Sequence, residues 1–510
     1  MKTLLINFLL FTSSLLFAQD YNPVFGEEYV QDYLPSIEVT MDQADYDWMV
    51  HPDNIWSDEY QHATVVYKGS NGVEISYLDL GIRLRGNTSR AKQKKSFKLH
   101  FEKFTDDQYF FGLKKLNIKA ETNDPSAVRE HMVMNLYRES NIPVARVNHV
   151  KLYINSNYMG LYSSIEQVDS RFLKSRFSND TGNLYKCGYG ADVANTGEVY
   201  NDEIYELKTN EDENDRSKLE AFIYFMSNSS DSDFENNINN YLNVEDYVKQ
   251  LAIEVLTGHW DGYSYNNNNF YLYYNPNKSW FEYIPYDTDN TLGIDWIDRD
   301  WSDRNVYDWA KHGDAKRPLY RRILGIEKYA KLYSQSIDNF IKTKFNTAYQ
   351  MNIAYTYKDL ISEAIYSDIY FLLDFGYSTQ TFEDSYTENA DNHVKYGIEP
   401  FIERRVNSAK EQLKQSHLSI VDELFNSSIS VYPVPLNDER TITISTDICG
   451  IKSIHVSIRN TLGQEVYQNT VDIDNSINKI NLNSLSNGVY IIKIIDPVSL
   501  KVASKKLLVN

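Results

Sequence analysis

The sequence predicts an α+β protein: a strand-rich first part, a helix-rich second part, and a small β-sandwich at the C-terminus. Three observations predict it. Alternating apolar and polar residues, the signature of half-buried strands, dominate up to about residue 170. From about residue 213 apolar residues recur at helical spacing. After about residue 428 short strand-like runs return at regular intervals, broken by turn residues. A chain of 510 residues is too long for one ordinary core, so separate domains are expected.

The N-terminus, MKTLLINFLLFTSSLLFAQD, places Lys2 before an apolar run that ends at Ala18. This predicts a signal peptide over residues 1–18, with no lipid-anchored cysteine after it. Nothing further on has the length and apolarity to span a bilayer, so the mature chain is expected to leave the cytoplasm as a soluble protein. Its formal net charge of −20 argues against nucleic acid as main partner. Cys187 and Cys449 are the only cysteines, and they are expected to form neither a disulfide framework nor a thiolate metal site.

The first elements follow in order. YLPSIEVTMDQADYDWMV reads as a strand and then a polar helical segment. ATVVYKG and VEISYLDLGIRLRG read as antiparallel strands about a Gly-Ser-Asn-Gly turn. In SFKLHF, Ser96, Lys98 and His100 share one face and Phe97, Leu99 and Phe101 the other. A helix is expected over about 126–139 with Ser126 as its cap. HVKLYIN and GLYSSIEQ are strands about Asn155-Ser156-Asn157. In the second part, Val248, Leu251, Ala252, Val255 and Leu256 define one buried helix face, and Gly258 stands where a helix-ending glycine belongs. Further helices are expected at about 317–345, 357–372 and 397–416. The tail runs SISVYPVPL, TITIST, KSIHVSIRN, EVYQNTV, INKINL, GVYIIKI and KKLLV predict the sandwich, with the domain boundary near residue 428, within Asn426-Ser427-Ser428.

One stretch carries chemistry. HWDGYSYNNNNFYLYYNPNKSWFEYIPYDTDNTLG sets Asp261 after the buried helix, Asn266 five residues on, then a hairpin, then Asp287. Phosphoryl transfer needs that order: a carboxylate at the attacking hydroxyl, an amide oxygen toward Mg²⁺, and a second carboxylate to hold the metal that bridges the phosphates. The run Asp287-Thr288-Asp289-Asn290 with Gly293 and Asp295 also resembles a Ca²⁺ loop, although it lacks the acidic residue an EF-hand requires at its twelfth position. A structural Ca²⁺ site therefore stays open.

A nucleotide site also needs a turn over the phosphates and a strand lysine. Residues 81–89, Gly-Ile-Arg-Leu-Arg-Gly-Asn-Thr-Ser, supply a strand and a turn that includes Arg85. Lys98 is the candidate lysine, with Lys95 the alternative. Lys94, Lys95 and Lys98 could equally form a solvated basic strand. Glu130 is the expected ion-pair partner, and the segment Glu166-Gln167-Val168-Asp169 is where a hinge would meet adenine. Neither G-x-G-x-x-G nor G-x-x-x-x-G-K-[ST] occurs.

Taken together, LPSIEVTM, GIRLRGNTSR with KKSFKLHF, NDPSAVREHMVMNLYRESNIPVA, YINSNYMGLYSSIEQVD, WDGYSYNNNNFYLY, PYDTDNTLG and IEPFIERRVNSAKEQL resemble the CotH kinase family over about residues 35–420. The resemblance implies an atypical two-lobed protein-kinase fold over 25–425, with an N-lobe at about 35–170 and a C-lobe at about 171–425. It implies ATP with Mg²⁺ or Mn²⁺, and a protein acceptor phosphorylated on Ser or Thr. Asp261 is then the catalytic aspartate, Asn266 and Asp287 with Asp289 the metal residues, and Lys98 or Lys95 the phosphate lysine. The tail, 429–510, resembles the C-terminal sorting domain of the type IX secretion route, which implies a secreted or cell-surface protein exported through the periplasm. The alternative is a kinase-like scaffold that acts as an adhesion or binding module.

Overall fold

A computed structural model describes residues 21–415 apart from 312, 314–315 and 389–392, and residues 429–509 apart from 437–439, 447–452, 462, 473–476 and 498–501. The expected signal peptide, Cys449 and the expected boundary at 426–428 lie outside the described residues. The chain divides into two compact units, Met1–Val406 and Asn407–Asn510.

In the first unit seven strands form one closed barrel: β1 (Ser36–Thr40), β2 (Gln61–Lys68), β3 (Glu74–Leu84), β4 (Phe97–His100), β5 (Lys115–Lys119), β6 (Val147–Ile154) and β7 (Asn157–Glu166), in the order β1-β2-β3-β4-β5-β7-β6. Closure was not legible in the strand pattern. It arises because β1 pairs antiparallel with β2 on one side and parallel with β6 on the other, Ser36 opposite Lys151. The inward residues follow the period of two: Ile37, Val39, Val65, Tyr67, Phe97, Leu99, Leu116 and Ile118 are buried together. The β6–β7 hairpin turns on Asn155 and Ser156, both at positive φ, which two-residue loops of matching twist require.

The helix after β5 runs Arg129–Glu139, three residues later than expected. Ala127 has φ 54°, outside the helical region, so the turn cannot start at Ser126. Ser126 does not cap it either. Asp124 takes that role, its carboxylate accepting the backbone N–H groups of Ser126, Val128 and Arg129.

The part expected to be helical also contains a sheet. Strands β8 (Leu184–Cys187), β9 (Tyr205–Leu207), β10 (Phe270–Asn275) and β11 (Trp280–Pro285) order as β11-β10-β8-β9. The same part of the chain holds helices Val244–Leu256, Pro318–Leu324, Glu327–Thr343, Thr347–Tyr366 and Ile398–Gln415, the first packed on β11 and the fourth on the barrel strand β7. The predicted helix face at Val248, Leu251, Ala252, Val255 and Leu256 is buried throughout. The helix expected at 357–372 instead ends at Tyr366.

In the second unit β12 (Ile429–Tyr432), β13 (Thr441–Thr446) and β16 (Ile477–Asn481) form one sheet. The other contains β14 (Ser453–Asn460), β15 (Glu465–Asp472), β17 (Gly488–Ile495) and β18 (Val502–Val509). All seven expected strands are present. Ile442, Ile444, Ile454, Val456, Ile492 and Ile494 from both sheets share one core, as alternating strands of a sandwich must.

Candidate functional site

The helix Val244–Leu256 ends at Gly258, whose φ of 71° suits glycine. A Cβ there would also meet the Phe401 ring at 2.7 Å. The chain then turns through His259 and Trp260 into Asp261. Trp260 fixes the turn, its indole N–H donating to Ile294 O at 2.9 Å while the ring stacks on Trp301.

The asparagine run explains itself here. Residues Tyr263–Asn266 make one short helical turn, and Asn267 and Asn269 follow at φ 51° and 55°. Asparagine tolerates this left-handed region better than most residues. The amides also serve Asp261. Asn266 Nδ2 donates to its Oδ1, and Asn269 Nδ2 to its Oδ2 at 3.0 Å. A third amide, Asn290 Nδ2, reaches Oδ2 at 3.2 Å. The Asn290 orientation is fixed by chemistry: its Oδ1 accepts the indole N–H of Trp296 at 3.0 Å, and an indole can only donate. Asn266 spends its nitrogen on Asp261 and keeps its carbonyl oxygen as a hard donor. Burial, against the Asn266 hydrogen bond and reinforced by Asp289 and Asp287, pushes the Asp261 carboxyl up to about 6.

Strand β11 ends at Pro285, so Asp287 lies beyond the strand rather than closing it, at φ 51°. Its carboxylate meets Lys119, the last residue of β5, at 2.8 Å. The same ammonium reaches Asp289 at 3.1 Å and Glu130, in the first turn of its helix, at 2.7 Å. This corrects the lysine assignment: Glu130 pairs with Lys119, not Lys98. The signal was in the sequence. In KLNIK, Lys115, Asn117 and Lys119 alternate with Leu116 and Ile118, the same rule that singled out Lys98. Burial would lower the Lys119 ammonium, but Asp287, Asp289 and Glu130 hold it well above its ordinary value. Burial likewise opposes ionisation of Asp287, yet Lys119 and Arg85 bring it down to about 2. For Asp289 burial wins, and its pKa is raised.

The other expected residues divide. Arg85 joins the site, donating from Nη2 to Tyr286 Oη at 2.7 Å next to Asp287. Lys95 is turned away, its ammonium on Arg90 O at 2.7 Å. Lys98 is on the outer face of β4, opposite Asn117 in register. Glu166 is buried between Arg146 and Arg176, at 3.0 and 2.6 Å, and Val168 is buried completely. Asp295, part of the possible Ca²⁺ loop, accepts from Arg299 N and Trp301 Nε1 and pairs with Lys395.

The donor set fits a divalent cation that arrives with its own ligands. Asp261, Asp287, Asp289, Glu130 and Glu121 interact here, with Lys119 and Arg85 as the main countercharges and Lys186 also acting on Asp287. Among the described residues no three His, Cys, Asp or Glu side chains converge as a ready-made metal cage.

The family model "CotH kinase protein" matches residues 82–407. The model "Secretion system C-terminal sorting domain" matches residues 430–510. Inner spore coat protein H of Bacillus subtilis is 25% identical over 317 residues, 60% of this chain and 83% of that protein. Invasin CotH2 of Rhizopus delemar is 24% identical over 285 residues, 53% of this chain, and the match spans only 46% of that longer protein. A solved structure of PorZ, a surface component of the type IX secretion system of Porphyromonas gingivalis, is 26% identical over 16% of this chain and 12% of that one, with a TM-score of 0.14. At that score the likeness in structure carries no argument. The sorting domain directs the chain to the type IX machinery, and so to the medium or the cell surface. Among the described residues no helix is long and apolar enough to cross a membrane.

Proposed function

This chain belongs to the CotH kinase protein family, and from that premise we propose that it transfers the γ-phosphate of ATP to a Ser or Thr hydroxyl of an exported protein. One observation carries the reading. Lys119 bridges Glu130 to Asp287 and Asp289, and burial, reinforced by Asp289 and Asp287, raises the pKa of an Asp261 gripped by three asparagine amides. The barrel and the helical part that follows it act as the two lobes, with the site where β5 and the turn after β11 meet.

Mg²⁺ or Mn²⁺, bound with ATP, would neutralise the charge on the phosphate oxygens. Asp287, Asp289 and the Asn266 carbonyl oxygen would hold that metal. Two carboxylates and an amide make a weak site alone, so metal and nucleotide bind together. Lys119 and Arg85 counter phosphate charge. Asp261 orients the acceptor hydroxyl and takes its proton as the oxygen attacks. A pKa of about 6 suits a base that must be ionised near neutral pH yet able to accept a proton. Asn266, Asn269 and Asn290 hold its two oxygens in place.

The test is direct. Purified mature chain is incubated with γ-labelled ATP, Mg²⁺ or Mn²⁺ and a generic protein acceptor. Label should appear on the acceptor or on the chain itself. Absence of label with either metal, from protein that melts cooperatively, would leave the family's fold without its chemistry.

A further inference from the structure

On a chain of net charge −20, a concentration of cations beside the metal residues needs a cause. Lys115, Asn117 and Lys119 share the outer face of β5, and Lys98 of β4 stands opposite Asn117 with Arg83 of β3 opposite Lys98. From Lys119 to Lys115 the row extends about 13 Å, at about 3.3 Å per strand residue. The second sheet contributes Lys186, whose ammonium is 5.7 Å from the centre of the Tyr286 ring, the residue that accepts from Arg85. Of the anions nearby, Asp58 pairs with Arg83 and Arg90, Glu206 with Lys208 at 2.7 Å, Asp169 accepts from Arg171 N at 2.9 Å, and Glu211 acts on Lys115. Lys98 differs: Asp58, the carboxylate that feels its charge, is already paired with Arg83 and Arg90, and among the described residues the Lys98 ammonium makes no hydrogen bond or ion pair. Burial, with Arg85, Arg83 and Lys115 added to it, holds its pKa well below the ordinary value. A cation in that position is unfavourable until an anion arrives.

The opposite holds where a base would be read. At the end of β7 the Glu166 carboxylate is locked between two arginines, Val168 is buried, and the Gln167 amide donates to Val168 O at 3.2 Å. These side chains are consumed within the chain.

We propose that the phosphate donor is held by its phosphate chain on the Lys98-centred shelf and not by its base, so that nucleoside triphosphates are accepted without base preference. The proposal rests on the phosphotransfer reading and deepens it by naming the donor class.

Calorimetric titration of the mature chain with Mg²⁺ and, in turn, ATP, GTP, CTP, inorganic tripolyphosphate and adenosine tests it. The three nucleotides should bind within about threefold of one another, tripolyphosphate should compete with them, and adenosine should not. Lys98→Gln should weaken all three nucleotides and tripolyphosphate alike, by about tenfold or more, as loss of a charge-assisted bond implies. It should melt no lower than the wild type, because the lysine it removes makes no hydrogen bond or ion pair and its charge is disfavoured by burial. ATP bound at least tenfold tighter than GTP and CTP, or displacement by adenosine, would overturn base indifference and leave phosphotransfer standing. Unchanged affinities with a lower melting temperature would make Lys98 a structural lysine and overturn the shelf. No binding of any triphosphate or of tripolyphosphate to the wild type would overturn both readings.

Discussion

Replacing Asp261 by Asn should stabilise the protein above neutral pH while destroying its activity. The folded Asp261 carboxyl is raised from 3.8 to about 6. A raised carboxyl means that the fold prefers the protonated form. The wild type therefore loses stability as pH climbs from about 3.8 through about 6, and the loss is complete above that. At 1.36 kcal/mol per pH unit this amounts to about 3 kcal/mol. The asparagine removes that cost but offers one acceptor oxygen where the carboxylate offered two to Asn266, Asn269 and Asn290. A lost hydrogen bond gives back about 1 kcal/mol. The net gain is about 1–2 kcal/mol at pH 8, shrinking to nothing or reversing near pH 4. Urea unfolding of both proteins at the two pH values measures it. A variant less stable than wild type at pH 8, or a difference independent of pH, would refute the claim that Asp261 carries an unfavourable charge in the folded state.

Other outcomes follow from the same geometry. Lys119→Met leaves Glu130, Asp287 and Asp289 without their shared cation and should cost about 3–5 kcal/mol in chemical unfolding at neutral pH, as breaking a buried pair does. Trp296→Phe removes the indole N–H that orients Asn290, a hydrogen bond of about 1 kcal/mol, so kcat should fall several-fold with the acceptor KM unchanged. Asp287→Asn should abolish metal-dependent ATP binding in calorimetry with the fold nearly intact; tight Ca²⁺ binding without nucleotide, lost in the same variant, would point to a structural calcium site instead. A chain ended after residue 428 should still unfold cooperatively but stay within the cell envelope, which fractionation and blotting of the medium would reveal.

Much of this was legible because its rules are local. The period of two fixed the faces of β4, and the tail's seven short runs became seven strands of a sandwich. Asp261, Asn266, Asp287 and Asp289, singled out by the order phosphoryl transfer needs along the chain, lie close together in the fold. What escaped depended on distance in sequence. Barrel closure is a parallel pairing of β1 with β6, separated by more than a hundred residues. Lys119, rather than Lys98 or Lys95, meets Glu130 because β5 is the strand that ends beside Glu130 and Asp287, although Lys98 and Lys119 obey the same alternation. The roles of Asn269 and Asn290 were hidden in a run that reads as loop, and the start of the helix at Arg129 was set by the left-handed Ala127. Glu166 looked accessible at a strand end because nothing local announces Arg146 and Arg176.

The central claim is that Asp261 is the base of a phosphotransfer reaction, and it stands or falls on one comparison. The rate of label transfer from γ-labelled ATP and the Kd for Mg²⁺-ATP are measured side by side for the wild type and Asp261→Ala. The account predicts that transfer falls by about 10²–10⁴-fold, the usual contribution of a positioned general base, while the nucleotide Kd changes little. Equal transfer rates in the two proteins would contradict it.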